Sequence, residues 1–109
     1  MIEVRRGDDG ELCGHVRELA NSWQALTVFG GVLDEFASRS AAEAFVLERG
    51  LSSLAEHWLY LNDGEGQVVC IQEASPDSVR IALDYYSLPG VPTTTLTRAE
   101  AIDRLRLSR

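Results

Sequence analysis

The chain contains no lysine; all ten of its basic residues are arginine. Seventeen acidic residues outnumber them, so the formal net charge is −7. A field of that sign repels phosphate backbones and anionic lipid, which argues against nucleic-acid and membrane-surface binding. Cysteine is scarce too. Cys13 and Cys70 are the only two, and no CxxC spacing exists. That excludes a disulfide-dense secreted scaffold and points to reduced thiols in the cytoplasm. No apolar run approaches the ~20 residues of a membrane-spanning helix. The opening Met1-Ile2-Glu3-Val4-Arg5-Arg6 lacks the apolar core of a signal peptide. Catalytic and nucleotide-binding signatures are missing as well. There is no GxSxG, no P-loop, no GxGxxG and no EF-hand spacing.

What is present suffices for a folded domain. The 109 residues are 45% hydrophobic and 25% charged, which is ordinary globular composition. One domain over residues 1–109 is the expectation, and it needs neither metal nor disulfide to bury a core.

The chain also repeats itself at an offset of 57 residues. Cys70 falls on Cys13, Gly64 on Gly7, Ala82-Leu83 on Ala25-Leu26, Ala99-Glu100-Ala101 on Ala42-Glu43-Ala44, and Arg106 on Arg49. These are eight identities in 52 columns, where composition alone gives roughly three or four. The reading is two units, 1–52 and 58–109, joined by a connector at 53–57.

Both units carry the same order of signals. Ile2–Arg5, Leu12–Leu19, Trp23–Phe29 and Val32–Phe36 have strand character, separated by Gly7-Asp8-Asp9-Gly10, Asn21-Ser22 and Gly30-Gly31. Leu26, Val28 and Phe29 are the core residues expected of the third strand. Ser40-Ala41-Ala42-Glu43 fits a capping box. The helix it opens would stop at Gly50 and bury the stripe Ala41, Ala44, Phe45 and Glu48. In the second unit the strands are Trp58–Leu61, Val68–Glu73, Val79–Tyr85 and Val91–Leu96. Asp63-Gly64-Glu65-Gly66 is a hairpin turn, and Thr97-Arg98-Ala99-Glu100 a second capping box. The last helix would bury Ala101, Ile102 and Leu105, with Arg98, Arg106 and Arg109 on a solvated face. The expected fold is α+β: a tandem, pseudo-two-fold duplication of a β-β-β-(β)-α unit, with an antiparallel sheet and both helices packed on one face.

Two groups of side chains have chemical interest. Cys13 and His15 share one face of a strand, and Cys70 is the repeat-equivalent of Cys13. With His57 these make a notional two-Cys, two-His metal site, set against the simpler reading of both cysteines as small buried hydrophobes. Cysteine catalysis is disfavoured, because residues i and i+2 on one strand stand roughly 6–7 Å apart, beyond hydrogen-bond reach. The second group is centred on aromatics. Where the units differ most, Trp23 faces Arg80 and Val28-Phe29 faces Tyr85-Tyr86. Tyrosine and tryptophan anchor interfaces, so Trp23, Tyr60, Tyr86 and Leu88 form a candidate interaction patch.

These features suggest a small acidic cytoplasmic protein-interaction module: a regulator, adaptor or inhibitor whose partner is another, basic protein. No cofactor, nucleic acid or membrane is called for, and the absence of motifs leans against an enzyme. The alternatives are a small-molecule or metal-binding protein, an enzyme among them, with a site between the repeats, and more weakly a DNA-mimic inhibitor whose carboxylates imitate phosphates.

Overall fold

The alternating N-terminal segments pair with their neighbours in sequence, because each is joined to the next by a short turn. The computed structural model describes residues 1–62 and 64–108. Asp63, read above as part of a hairpin turn, and Arg109, read as part of an arginine face, lie outside the described residues. Strands β1 (Ile2–Arg5), β2 (Leu12–Glu18), β3 (Trp23–Leu26) and β4 (Val32–Phe36) form an antiparallel meander in chain order. Helix α1 (Arg39–Arg49) and a 3₁₀ turn at Ser52–Ala55 lead to the second half. There β5 (His57–Asn62), β6 (Glu65–Ala74), β7 (Ser78–Ala82) and β8 (Thr93–Thr97) form a second meander. Helix α2 (Arg98–Arg104) follows, and β9 (Leu105–Leu107) returns antiparallel to β5. The second sheet therefore runs β8-β7-β6-β5-β9.

The fold is α+β, but it has two antiparallel sheets where one was expected. Each meander closes on itself through local turns, and each helix lies on its own sheet. Helix α1 packs on β2 and β3, and α2 on β5, β7 and β8. Each half runs four strands and a helix; β9 has no counterpart in the first half. Leu105, expected on the last helix, is instead a buried residue of β9, and Arg106 is on that strand too. Ile102 is exposed rather than buried. No helix among the described residues is long and apolar enough to cross a membrane.

One hydrophobic core runs through both halves. Val4, Val16 and Ala25 meet Ala42 and Val46 of α1; Val69, Val79, Ile81 and Leu96 meet Ala101 and Leu105. The stripe of α1 differs from the expected one. Ala42 and Val46 are buried, while Ala41, Ala44 and Glu48 are exposed and Phe45 is half-buried. The reason is on β2. Gly14 has no side chain, and a Cβ there would clash with the Leu26 carbonyl oxygen and lie 2.9 Å from Val46 Cγ1. Val46 occupies the space that Gly14 leaves.

The caps also divide. Thr97 caps α2 as expected: its hydroxyl accepts from the Glu100 N–H at 3.2 Å, and Glu100 accepts from the Thr97 N–H at 3.0 Å. Helix α1 starts two residues earlier than its expected box. Ser38, not Ser40, accepts from the Ala41 N–H at 3.2 Å, and Glu43 pairs with Arg39 at 2.7 Å instead.

The halves meet at Trp58, the largest fully buried side chain. Its indole N–H donates to the Ser53 carbonyl at 3.0 Å, and its ring lies 5.6 Å from that of Phe29, tilted by 60°. Phe29 reaches it from the β3–β4 loop, which folds inward. Thr27 N–H donates to Gly31 O at 2.9 Å and Gly30 N–H to Thr27 O at 3.0 Å. Gly30 has φ +91°, a conformation that side chains disfavour. A Cβ at Gly31 would stand 2.6 Å from the Phe29 ring.

Two outcomes follow from this packing. Gly14→Ala overpacks the α1–β2 contact and should destabilise the chain by about 2–3 kcal/mol, seen as a lower urea midpoint at unchanged m-value. The Thr97 N–H holds the Glu100 carboxyl below its ordinary value of 4.5. A lowered folded pKa means the cap's contribution is complete above the unfolded value and is lost as pH falls through the folded one. Glu100→Gln should therefore flatten the acid limb of the melting-temperature profile below pH 4.5, the ordinary value of the carboxyl.

Candidate functional site

The chain between β7 and β8 does the opposite of the β3–β4 loop. Residues 83–92 turn outward and fold back over the outer face of the second sheet. In β5 the side chains of Trp58 and Tyr60 point into the core, so His57, Leu59 and Leu61 point outward. Antiparallel register sets Cys70 opposite both His57 and Ala82. The outer face thus presents His57 and Cys70 side by side.

The Tyr85 carbonyl sits over this pair. Cys70 Sγ donates to it at 3.0 Å and His57 Nε2 at 2.9 Å. A carbonyl oxygen only accepts, so Nε2 carries the imidazole proton in this arrangement. The His57 and Tyr85 rings stack with centroids 3.9 Å apart and planes 23° apart. Further bonds fix the rest of the loop. Gln67 Nε2 donates to Leu83 O at 2.9 Å and Gln72 Nε2 to Ser87 Oγ at 2.9 Å. Leu83 N–H donates to Pro92 O at 2.9 Å, closing the base. Asp84 Oδ1 accepts from the Tyr85 N–H at 2.7 Å.

Gln72 is available for this task because of a bulge. The β6–β7 register slips between Ile71 and Glu73, leaving Gln72 as the extra residue. Arg80 then reaches both neighbours, with Nε 3.2 Å from Gln72 Oε1 and Nη2 3.1 Å from Glu73 Oε2.

Above this scaffold three large side chains face solvent. Tyr85 is 48% exposed, Tyr86 63% and Leu88 60%. Tyr86 leans edge-on to Tyr85, with centroids 4.8 Å apart. The aligned pair in the first half, Val28 and Phe29, is 6% and 0% exposed. Tyr85 was expected at the end of a strand; β7 ends at Ala82, and both rings belong to the loop.

The other expected site residues separate. Trp23 lies half-buried in the first sheet, with the Arg39 guanidinium 5.8 Å from its ring centre. Tyr60 is 9% exposed on the inner face of β5, and the nearby Tyr60 hydroxyl raises the Arg104 pKa. Of the four interface candidates, the structure brings together Tyr86 and Leu88 and places Trp23 and Tyr60 elsewhere.

The notional metal site is not assembled. Cys13 is the bulge residue of β2 opposite β1 and is 1% exposed within the core. His15 is buried, with Nδ1 donating to Thr27 O at 3.1 Å. Both are in the first sheet, and only His57 and Cys70 are neighbours. Among the described residues no three His, Cys, Asp or Glu side chains converge as a metal would require.

Between the halves lies a small open hollow of about 260 Å³, lined by Leu33, Phe45, Arg49, Ser53, Glu56 and Leu107. It falls below the ~300 Å³ at which small-molecule pockets begin.

The sequence held one usable signal for the His57–Cys70 pair. A hairpin that turns just after Asn62 sets 62 against 65, and therefore 57 against 70. Tyr85, Gln67 and Ser87 carry no such signal, since their partners are brought by the loop's return.

The two thiols should differ in reactivity. Both are free, but Cys70 is half-buried beneath the loop and Cys13 is sealed in the core. Titration of the native chain with a chromogenic disulfide should modify one thiol, mapped by mass spectrometry to Cys70. The second should appear only on unfolding.

No protein-family model matches the chain, and no curated protein or solved structure matches it either.

Proposed function

We propose that this chain is a small protein-interaction module that binds a basic partner protein through the β7–β8 loop. The observation that carries the reading is the loop itself. Tyr86 and Leu88 are among the most exposed large hydrophobic side chains, yet the backbone beside them is bonded to His57, Cys70 and Gln67, and the Ser87 hydroxyl between them to Gln72. Ordering a flexible loop on binding costs free energy, and a loop already ordered avoids that cost. Tyrosine supplies large contact area with few rotatable bonds. The net charge of −7 supplies long-range attraction to a basic surface.

Regulator, adaptor and inhibitor roles all fit such a module, and its free thiols fit a reducing cytoplasm. We also infer that the halves descend from one duplicated unit. The order of four strands and a helix in each half supports this, as do the eight identities at one offset. On that reading function arose where the copies diverged, with one loop kept in the core and the other lengthened and turned outward.

The test is affinity capture with the native chain and with a Tyr86→Ser, Leu88→Ser double variant. Both positions are exposed, so stability should change by no more than about 0.5 kcal/mol per site. A basic protein retained by the native chain should be lost by the variant. Equal retention by both would contradict the assignment of the loop.

A further inference from the structure

The four sheet edges are not equally protected. An unpaired edge invites another strand, and proteins blunt it with charge, bulges, proline or shortness. Edge β1 carries Glu3 and Arg5 and pairs with a bulged β2. Edge β4 carries Asp34 and Glu35 and has its own irregularity opposite Ala25 and Leu26. Edge β9 is three residues long, carries Arg106 and lies beside β4.

Edge β8 has none of these devices. Its sequence is Thr93-Thr94-Thr95-Leu96-Thr97, without charge or proline. Its register with β7 runs unbroken from Ala82–Thr93 to Ser78–Thr97. The chain carries no charge at all from Tyr85 through Thr97, although a quarter of its residues are charged.

We propose that β8 is a self-association edge, and that its occupant is β8 of a second copy, paired antiparallel about a two-fold axis at Thr95. That register sets Thr93 against Thr97 and Thr94 against Leu96. Threonine pairs and β-branched neighbours are favourable across antiparallel strands. The charged residues nearest the two ends, Arg98 and Asp84, are of opposite sign. Arg98 follows β8 directly, and the pairing brings it to the Pro92 end of the other copy. There Leu83 is bonded to Pro92, and Asp84 is the next residue. No like charges face each other across the ten paired residues. A single edge buries little area, and the net charge of each copy opposes association, so the dimer is a weak one.

The axis at Thr95 gives a charge-swap test, because that residue meets its own copy. Thr95 is exposed on the outer face opposite the exposed Arg80 of β7, so either charged side chain there stays solvated in the monomer. Sedimentation equilibrium of the full chain from about 10 µM to about 1 mM should show a monomer–dimer equilibrium, as weak interfaces do. Thr95→Glu and Thr95→Lys should each weaken it by up to about fivefold, since like charges directly opposite are destabilising. An equimolar mixture of the two should restore it. As a check that needs no variant, amide exchange in β8 of the native chain should slow as concentration rises. A single species of 12.0 kDa across the whole range would overturn the proposal. So would variants that associate like the native chain, or β8 exchange that ignores concentration; the edge would then be left to a strand of a different protein.

Discussion

The packing of Phe29 against Trp58 is the contact on which the rest of the molecule depends. Trp58 begins the second sheet and is sealed from water, with its indole N–H satisfied by the connector at Ser53. Burying two aromatic rings together removes a large apolar area from water and adds their mutual attraction. The geometry has a condition. Phe29 can reach Trp58 only if the β3–β4 loop turns inward, and Gly30 and Gly31 permit that turn. One of the two loops that join a third to a fourth meander strand is thereby committed to the core.

The other loop is left to the surface, where a different kind of node holds it. One backbone oxygen, that of Tyr85, accepts from a thiol and an imidazole on adjacent strands. The stacked His57–Tyr85 rings and the two glutamine side chains extend that hold along the loop. These bonds are short-range and partly exposed, so each contributes only about 1 kcal/mol. Their joint effect is positional: they keep Tyr86 and Leu88 outward, where the hydrophobic effect alone would draw them in. The same outer face ends at the uncharged edge of β8, so two surfaces suited to contact lie on one side of the second sheet.

Local chemistry was legible in the sequence; tertiary choice was not. The Thr97–Glu100 box, the turns and the core residues Leu26, Val28 and Phe29 could all be read from neighbours within a few positions. Ser40 had the right residue three positions on, yet Ser38 won the cap of α1. Its partner Glu43 was drawn instead to Arg39, one turn away. Strand β9 was missed because Leu-Arg-Leu is too short to signal anything until β5 offers it an edge. The division into two sheets was missed because identical meanders can extend one sheet or start another. The cysteines matched in sequence but not in role, since a bulge sends Cys13 into the core while Cys70 lies on the outer face of the second sheet. Nor could Tyr86 and Leu88 be separated from Trp23 and Tyr60 without the path of the β7–β8 loop, which carries the first two to the surface while the others stay on strands.

The central claim is that residues 83–92 are an ordered platform and not a floppy connection. Backbone ¹⁵N relaxation measures this directly. The account predicts order parameters for Tyr85 to Ser87 near the ~0.85 of rigid backbone, falling on His57→Ala while those of β6 and β7 stay unchanged. Values below about 0.6 in the native chain, or a loop that ignores the loss of His57, would contradict it.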